Sequence, residues 1–454
     1  MFKTIANAWS IPDLRKKIIY TAFVIFLFRL GANIPVPFLD IADSGLLGSA
    51  TGTTFLSYLS MMTGDAFNYG TIFAMSITPY INSSIIMQLL TVAIPALERL
   101  QKEGEEGRKK IASITRYVTI ALGFMQSTAY YVYLRSQQYL MTDAEGNAFT
   151  GFWAVFQAII VILCLTAGTA LVMWLGEQIN DKGIGNGISI ILFAGIISRI
   201  PTEAATLFSM DPNVGSYFYR GGTNGAYYFL APLVVIIYIL MIAYIVWMDN
   251  AEHRIPVQYA KRVVGRKMYG GQSTHIPIKV NMSGVMPVIF ASSILSLPPT
   301  IEMFVKNKIT AGGGWEKFFN LFGSDHWVYA LLYFGMIIFF AYFYAAIQYN
   351  PVEMANNIRK NGGTIMGIRP GKPTSDYIGG IINRIILLGA LLLSVVALFP
   401  VLFSLITSAA LSEDGGMNIS LGGTSIIIMV GVALETVKQL ESQMMMRHYK
   451  GFLD

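Results

Sequence analysis

Apolar stretches of membrane-spanning length alternate with polar connections along most of the chain. Ten can be marked, at 18–34, 72–94, 111–134, 152–175, 184–200, 229–248, 283–301, 327–349, 378–403 and 421–440. A helix crosses a hydrocarbon core in about 20 residues, so the pattern predicts ten transmembrane helices. Three places break it. The second stretch contains SITPYINSSIIMQLL (76–90), with Pro79, Asn82, Ser83, Ser84 and Gln88, and follows the loop-like GDAFNYG (64–70). The polar connections DNAEHRIPVQYAKRVVGRKMYGGQSTHIPIKVN (249–281) and NPVEMANNIRKNGGTIMGIRPGKPTSDYIGG (350–380) are long, and the alternation in RIPVQYAKRVV predicts strands or a hairpin.

Composition agrees with the pattern. Of 454 residues 54% are hydrophobic and 13% charged, with a mean hydropathy of +0.54, where a soluble domain carries about a quarter charged residues. With the N-terminus inside, 25 of the 32 Lys and Arg fall on the inner connections and tails. That asymmetry predicts both termini in the cytoplasm, and assigns the net charge of +6 to the inner face rather than to nucleic-acid binding. The first span follows Lys3, Arg15, Lys16 and Lys17, and reads as retained rather than as a cleaved signal. Cys164, the single cysteine, excludes an intrachain disulfide.

The spans divide into an N-terminal half (1–200) and a C-terminal half (229–440), joined by an outer connection (201–228) and followed by a tail (441–454). A five-span unit repeated in tandem inserts upside down the second time, which suggests inverted halves with a site between them. Ten helices without internal symmetry fit the same pattern. The inner loops 249–282 and 350–377 exceed what positive-inside bias and anionic-lipid contact require, and read as docking surfaces.

Candidate chemistry narrows the classes. His253, His275, His326 and His448 are scattered over loops without metal-ligand spacing. GIGNG (183–187) lacks the strand and the Lys of a phosphate loop and reads as a turn between helices. An inverted-repeat secondary transporter is the main alternative, but it needs coupling charges at mid-membrane, and Arg29 stands nearly alone there. An intramembrane hydrolase would need partners that Ser189 and Ser292 lack.

Five segments then carry a family resemblance: IFAMSITPYINSSIIMQLL (72–90), WLGEQINDKGIGNGISIILFAGI (174–196), YAKRVVGRKMYGGQSTHIPIKVNMSGVMPVIFASSI (259–294), GIRPGKPTSDYI (367–378) and GGTSIIIMV (422–430). They resemble the bacterial SecY family, central subunits of the Sec protein-conducting channel. The resemblance covers essentially the whole chain and is weakest at 136–150, 201–228 and 304–326. It implies an all-α polytopic fold, with two inverted five-helix halves around an hourglass pore in the bacterial cytoplasmic membrane. Secretory polypeptides would cross it, and transmembrane segments would leave sideways into lipid. It also implies a plug at about 58–71 bearing Tyr58, Met61, Gly64, Phe67 and Gly70. A pore ring would comprise Ile77, Ile81, Ile188, Leu192, Ile289 and Ile428, of which the first two pairs have the i, i+4 spacing of one helix face. Gln88, Asn82 and Ser292 would lie at a lateral gate; for Asn82 and Ser292, bonding within their own helices is the other reading. Arg254, Lys261, Arg262, Arg266, Lys267, Arg359, Lys360, Arg369 and Lys372 would dock a SecA ATPase or a translating ribosome. SecE and SecG would be membrane partners, signal sequences the ligands and lipids the surroundings. No cofactor, metal or enzymatic activity is implied.

Overall fold

A helix in lipid must satisfy its own backbone, and most of the chain does so. The structure, a computed structural model, describes residues 8–40, 60, 63–141, 149, 151–208, 226–259, 262–264, 267–269, 273–295, 298, 315, 318–319, 327–410 and 423–450. Tyr58, Met61, Lys261 and Arg266 lie outside the described residues. Two compact units emerge, 1–231 with 296–324 and 432–454, and 232–295 with 325–431.

The first unit contains α1 (Pro12–Gly31), α2 (Thr78–Ala93), α3 (Pro95–Lys102), α4 (Glu105–Ser136), α5 (Phe152–Lys182), α6 (Gly187–Ile197) and α7 (Ile200–Phe208). The boundary falls within α8 (Ala226–Asn250). Pro95 removes a donor and pushes Ile94 to extended backbone (φ −109°, ψ 112°), so α3 leaves α2 at 100°. The GIGNG stretch is the expected turn. Gly183 ends α5, and Asn186 caps α6 by accepting from the Ile188 and Ser189 amides at 3.1 and 3.5 Å. The core between α4, α5 and the chain leading into α2 includes Phe67, Ala74, Tyr130, Leu134, Val161 and Leu165.

The second unit contains β1 (Glu252–Tyr259), β2 (Arg262–Val264), β3 (Lys267–Tyr269), β4 (Ser273–Lys279), α9 (Met286–Leu295), α10 (Trp327–Gln348), α11 (Pro351–Lys360), β5 (Gly363–Ile365) and α12 (Lys372–Ala410). The other unit boundary falls within α13 (Gly423–Lys450). An all-α fold is therefore corrected at the two long loops, and the alternating pattern had pointed to strands in the first of them. β1 pairs antiparallel with β4, from Glu252↔Lys279 to Gln258↔Ser273, and with β5 on its other edge. β2 and β3 form a separate two-stranded ribbon. Ile255, Val257, Ile278 and Ile365 of the sheet share a core with Ala355 and Ile358 of α11 and Ile378, Ile382 and Ile385 of α12. Asn350 caps α11 through the Val352 and Glu353 amides, with Pro351 in the first turn. Phe290 of α9 packs edge-on against Phe340 of α10, ring centroids 5.5 Å apart.

Each of the ten apolar stretches contains or overlaps a described helix. Among the described residues five helices are long and apolar enough to cross a membrane unaided, six if α2 and α3 form one broken span. α6 and α9, of 11 and 10 residues, fall short in length. α1 falls short because Arg15, Lys16, Lys17 and Arg29 lie in it.

Candidate functional site

The lead into α2 is irregular, buried and tightly packed. Residues 64–77 form successive turns, and Gly64, Asp65, Gly70 and Ser76 take left-handed backbone with φ of 66°, 68°, 58° and 47°. Two of these, Gly64 and Gly70, are glycines of the segment that the family resemblance marks as a plug. Pro79 lies in the first turn of α2, where its missing N–H costs little. The lead is laced to the chain after α1: the Val36 amide donates to the Gly70 carbonyl at 3.0 Å, and the Ile72 amide to the Ile34 carbonyl at 2.9 Å. Phe67 is buried, with its ring centroid 4.6 Å from that of Tyr130, whose hydroxyl donates to the Phe67 carbonyl at 2.7 Å. Two glycines on neighbouring helices let the backbone approach this closely. A Cβ on Gly31 would strike the Phe73 ring, and one on Gly168 would strike the Ile72 carbonyl.

A charged cluster closes the start of the lead. The Asp65 Oδ1 accepts from the Ser60 hydroxyl at 2.9 Å, and its Oδ2 lies 3.3 Å from Arg199 Nε. Arg29 approaches the same turn: a Cβ on Gly64 would come within 2.7 Å of Arg29 Nη1, 2.7 Å of Ser198 Oγ and 2.8 Å of the Gly195 carbonyl. Sequence reading singled out Arg29 as a mid-membrane exception but missed Asp65 and Arg199 as its companions. Asp65 inside GDAFNYG was visible as an acid beside a glycine. The pairing with a residue 134 positions later was not.

Of the six ring residues, Ile77 and Ile81 lie at the start of α2 and Leu192 on α6, all buried, with Ile188 partly buried. Ile289 of α9 and Ile428 of α13 are buried in the second unit. Gln88 donates to Ser84 Oγ at 3.3 Å, and Ser292 to the Ile289 carbonyl at 2.9 Å, so both make bonds within their own helices. Asn82 is partly buried. On α2, Ser83 donates instead to the Thr115 carbonyl of α4 at 2.8 Å.

The basic candidates divide by position. Arg254 is exposed on β1, 4.0 Å from Glu252. Arg262 and Lys267 lie on the β2–β3 ribbon. Arg359 and Lys360 end α11, exposed. Arg369 and Lys372 are exposed about a compact turn with Gly367 at φ 76° and Gly371 at φ 112°, closed by the Thr374 hydroxyl donating to the Arg369 carbonyl at 2.8 Å.

Long apolar helices, short apolar ones and a buried irregular lead define a multi-pass membrane protein. Solved structures with the same fold are channels. One described as a protein conducting channel matches with a TM-score of 0.62 at 18% identity, covering 94% of this chain and 92% of that one. Sec61 in the canine ribosome-channel complex matches with a TM-score of 0.57 at 16% identity, covering 94% and 92%. The SecY family model matches residues 71–437. The Streptomyces galbus protein named protein translocase subunit SecY is 43% identical over 459 residues, covering 100% of each chain. This chain belongs to the SecY family, whose members are channel subunits of the protein translocase and not enzymes.

Proposed function

We propose that this chain conducts unfolded secretory polypeptides across the bacterial cytoplasmic membrane and releases transmembrane segments sideways into it. The buried irregular lead into α2 supports this reading most directly. Broken backbone at membrane depth is tolerable only against packed protein or a water-filled cavity, and a channel vestibule offers both. Ten spans in two inverted halves would enclose an hourglass pore, with both termini cytoplasmic. Ile77, Ile81, Ile188, Leu192, Ile289 and Ile428 would form its constriction, an apolar ring that sheds water and gives a passing chain no fixed hydrogen-bond partner. The segment at about 58–71 would be the plug, and Asn82, Gln88 and Ser292 would hydrate the lateral seam.

The chain carries no nucleotide-binding motif, so energy would come from a docked partner, a SecA ATPase or a ribosome, with SecE and SecG beside it in the membrane. The exposed Arg369 turn supports docking, because a compact loop presents a planar five-donor guanidinium to solvent. The deciding experiment measures ion conductance of the reconstituted complex in a planar bilayer, with residues 60–70 intact or deleted. A channel leaks when the segment is removed. A carrier does not, and a tight deletion variant would overturn the reading. In the same preparation Arg369→Glu abolishes translocation and SecA binding, Arg369→Lys rescues them in part, and Lys360→Glu and Lys372→Glu are mild. Equal mild defects at all three positions would reduce the loop to a generic basic patch.

A further inference from the structure

The two ends of the lobe formed by Ser60 and residues 63–70 are held by different kinds of bond. At Gly70–Ile72 the attachment is backbone to backbone, through Val36 and Ile34. At the other end it is made by side chains. Asp65 is the lobe's acidic group among the described residues, and both its oxygens are engaged, one by Ser60 within the lobe and one by Arg199 beyond α6. Arg199 and Asp65 are largely shielded, with side-chain exposures of 9% and 21%. Within itself the lobe is self-contained. The Asp65 amide donates to the Ser60 carbonyl at 2.9 Å, the Tyr69 amide to the Asp65 carbonyl at 3.2 Å, and the Phe67 amide to the Thr63 hydroxyl at 3.2 Å. Such a lobe can move as a body without losing its own bonds, and Gly70, at φ 58°, is the left-handed residue beside the backbone attachment.

We propose that the Asp65–Arg199 ion pair, with Arg29 beside it, is the latch that holds the lobe closed, and that Gly70 is its hinge. This deepens the plug reading and rests on it. Separating the lobe from α6 strips Arg199 of its carboxylate in a shielded place, an electrostatic cost that adds to the apolar contacts of Phe67 with Tyr130. Gly64 is needed at this point twice over: its φ of 66° is left-handed, and a Cβ would press on Arg29, Ser198 and Gly195.

The test is a double-mutant cycle on the full-length chain in its reconstituted complex, reading resting conductance in planar bilayers. Asp65→Asn keeps size and tolerates φ of 68°, and Arg199→Gln removes the opposite charge. Each raises resting conductance about tenfold, within the range of coupling energies for residues in one ion-pair network. The double variant gives the same tenfold rise, because both changes remove one interaction. Arg199→Lys stays closer to the parent. A multiplicative, roughly hundredfold rise in the double variant would overturn the pairing. If deleting 60–70 opens the channel while neither single change does, the latch is wrong and the plug reading survives. If deletion also leaves conductance unchanged, both fail. If Asp65→Asn does not accumulate, Arg199→Gln and Arg199→Lys carry the comparison. If none of the three accumulates, the pair is a folding determinant and the latch is refuted.

Discussion

The leads into α2 and α9 look alike locally and differ in what surrounds them. Both precede a short apolar helix, and both turn through a glycine in left-handed backbone, Gly64 at φ 66° and Gly284 at φ 61°. Around Gly64 three groups stand within 2.8 Å of where a Cβ would be; around Gly284 there is nothing within 4 Å. The first lead is buried through Phe67 and Tyr130 and pinned by Asp65. The second is tied at its start by Asn281 donating to Asp249 at 2.7 Å, and by Ser283 donating to the Ala341 carbonyl at 3.3 Å. The same local device therefore serves two purposes. In one place glycine supplies a conformation, and in the other it supplies a conformation and a close approach.

Local opening free energies from amide hydrogen exchange, read separately over 63–77 and 281–295, put this difference to the test. The largest effect belongs to Phe67→Ala, which removes a buried ring and costs the first lead about 3–5 kcal/mol without touching the second. Unchanged protection at 63–77 would mean that Phe67 is not what anchors the lead. Gly64→Ala comes next, at about 1–3 kcal/mol, because strain and crowding act together. Gly284→Ala costs about 1 kcal/mol, since only φ opposes it. Equal costs at the two glycines would erase the contrast. Ser292→Ala is the smallest, under about 1 kcal/mol on α9, because its hydroxyl bonds back to the Ile289 carbonyl of its own helix. A large change in signal-sequence stringency in that variant, with stability unaltered, would instead favour its role at the lateral seam.

Much of the candidate site was legible because its signals are local. The left-handed glycines at 64 and 70 and the GIGNG turn are written in neighbouring residues whose dihedral limits hold anywhere. The strands around RIPVQYAKRVV followed from alternation, although that pattern named neither β4 nor β5 as a partner. Gly31 and Gly168 passed unnoticed. A glycine within an apolar helix carries no sign of the ring or carbonyl that will lie against it.

By itself, the sequence determined where apolar runs end, where proline and glycine interrupt them, and which asparagines start α6 and α11. Each depends on contacts within a few residues and on the cost of exposing backbone to lipid. Only the tertiary structure decided that Arg199 meets Asp65, that Tyr130 covers Phe67, and that Gly168 admits Ile72. Those contacts join residues 134, 63 and 96 positions apart. Charge, aromaticity and small size state what a residue can do, while packing alone selects the neighbour it does it with.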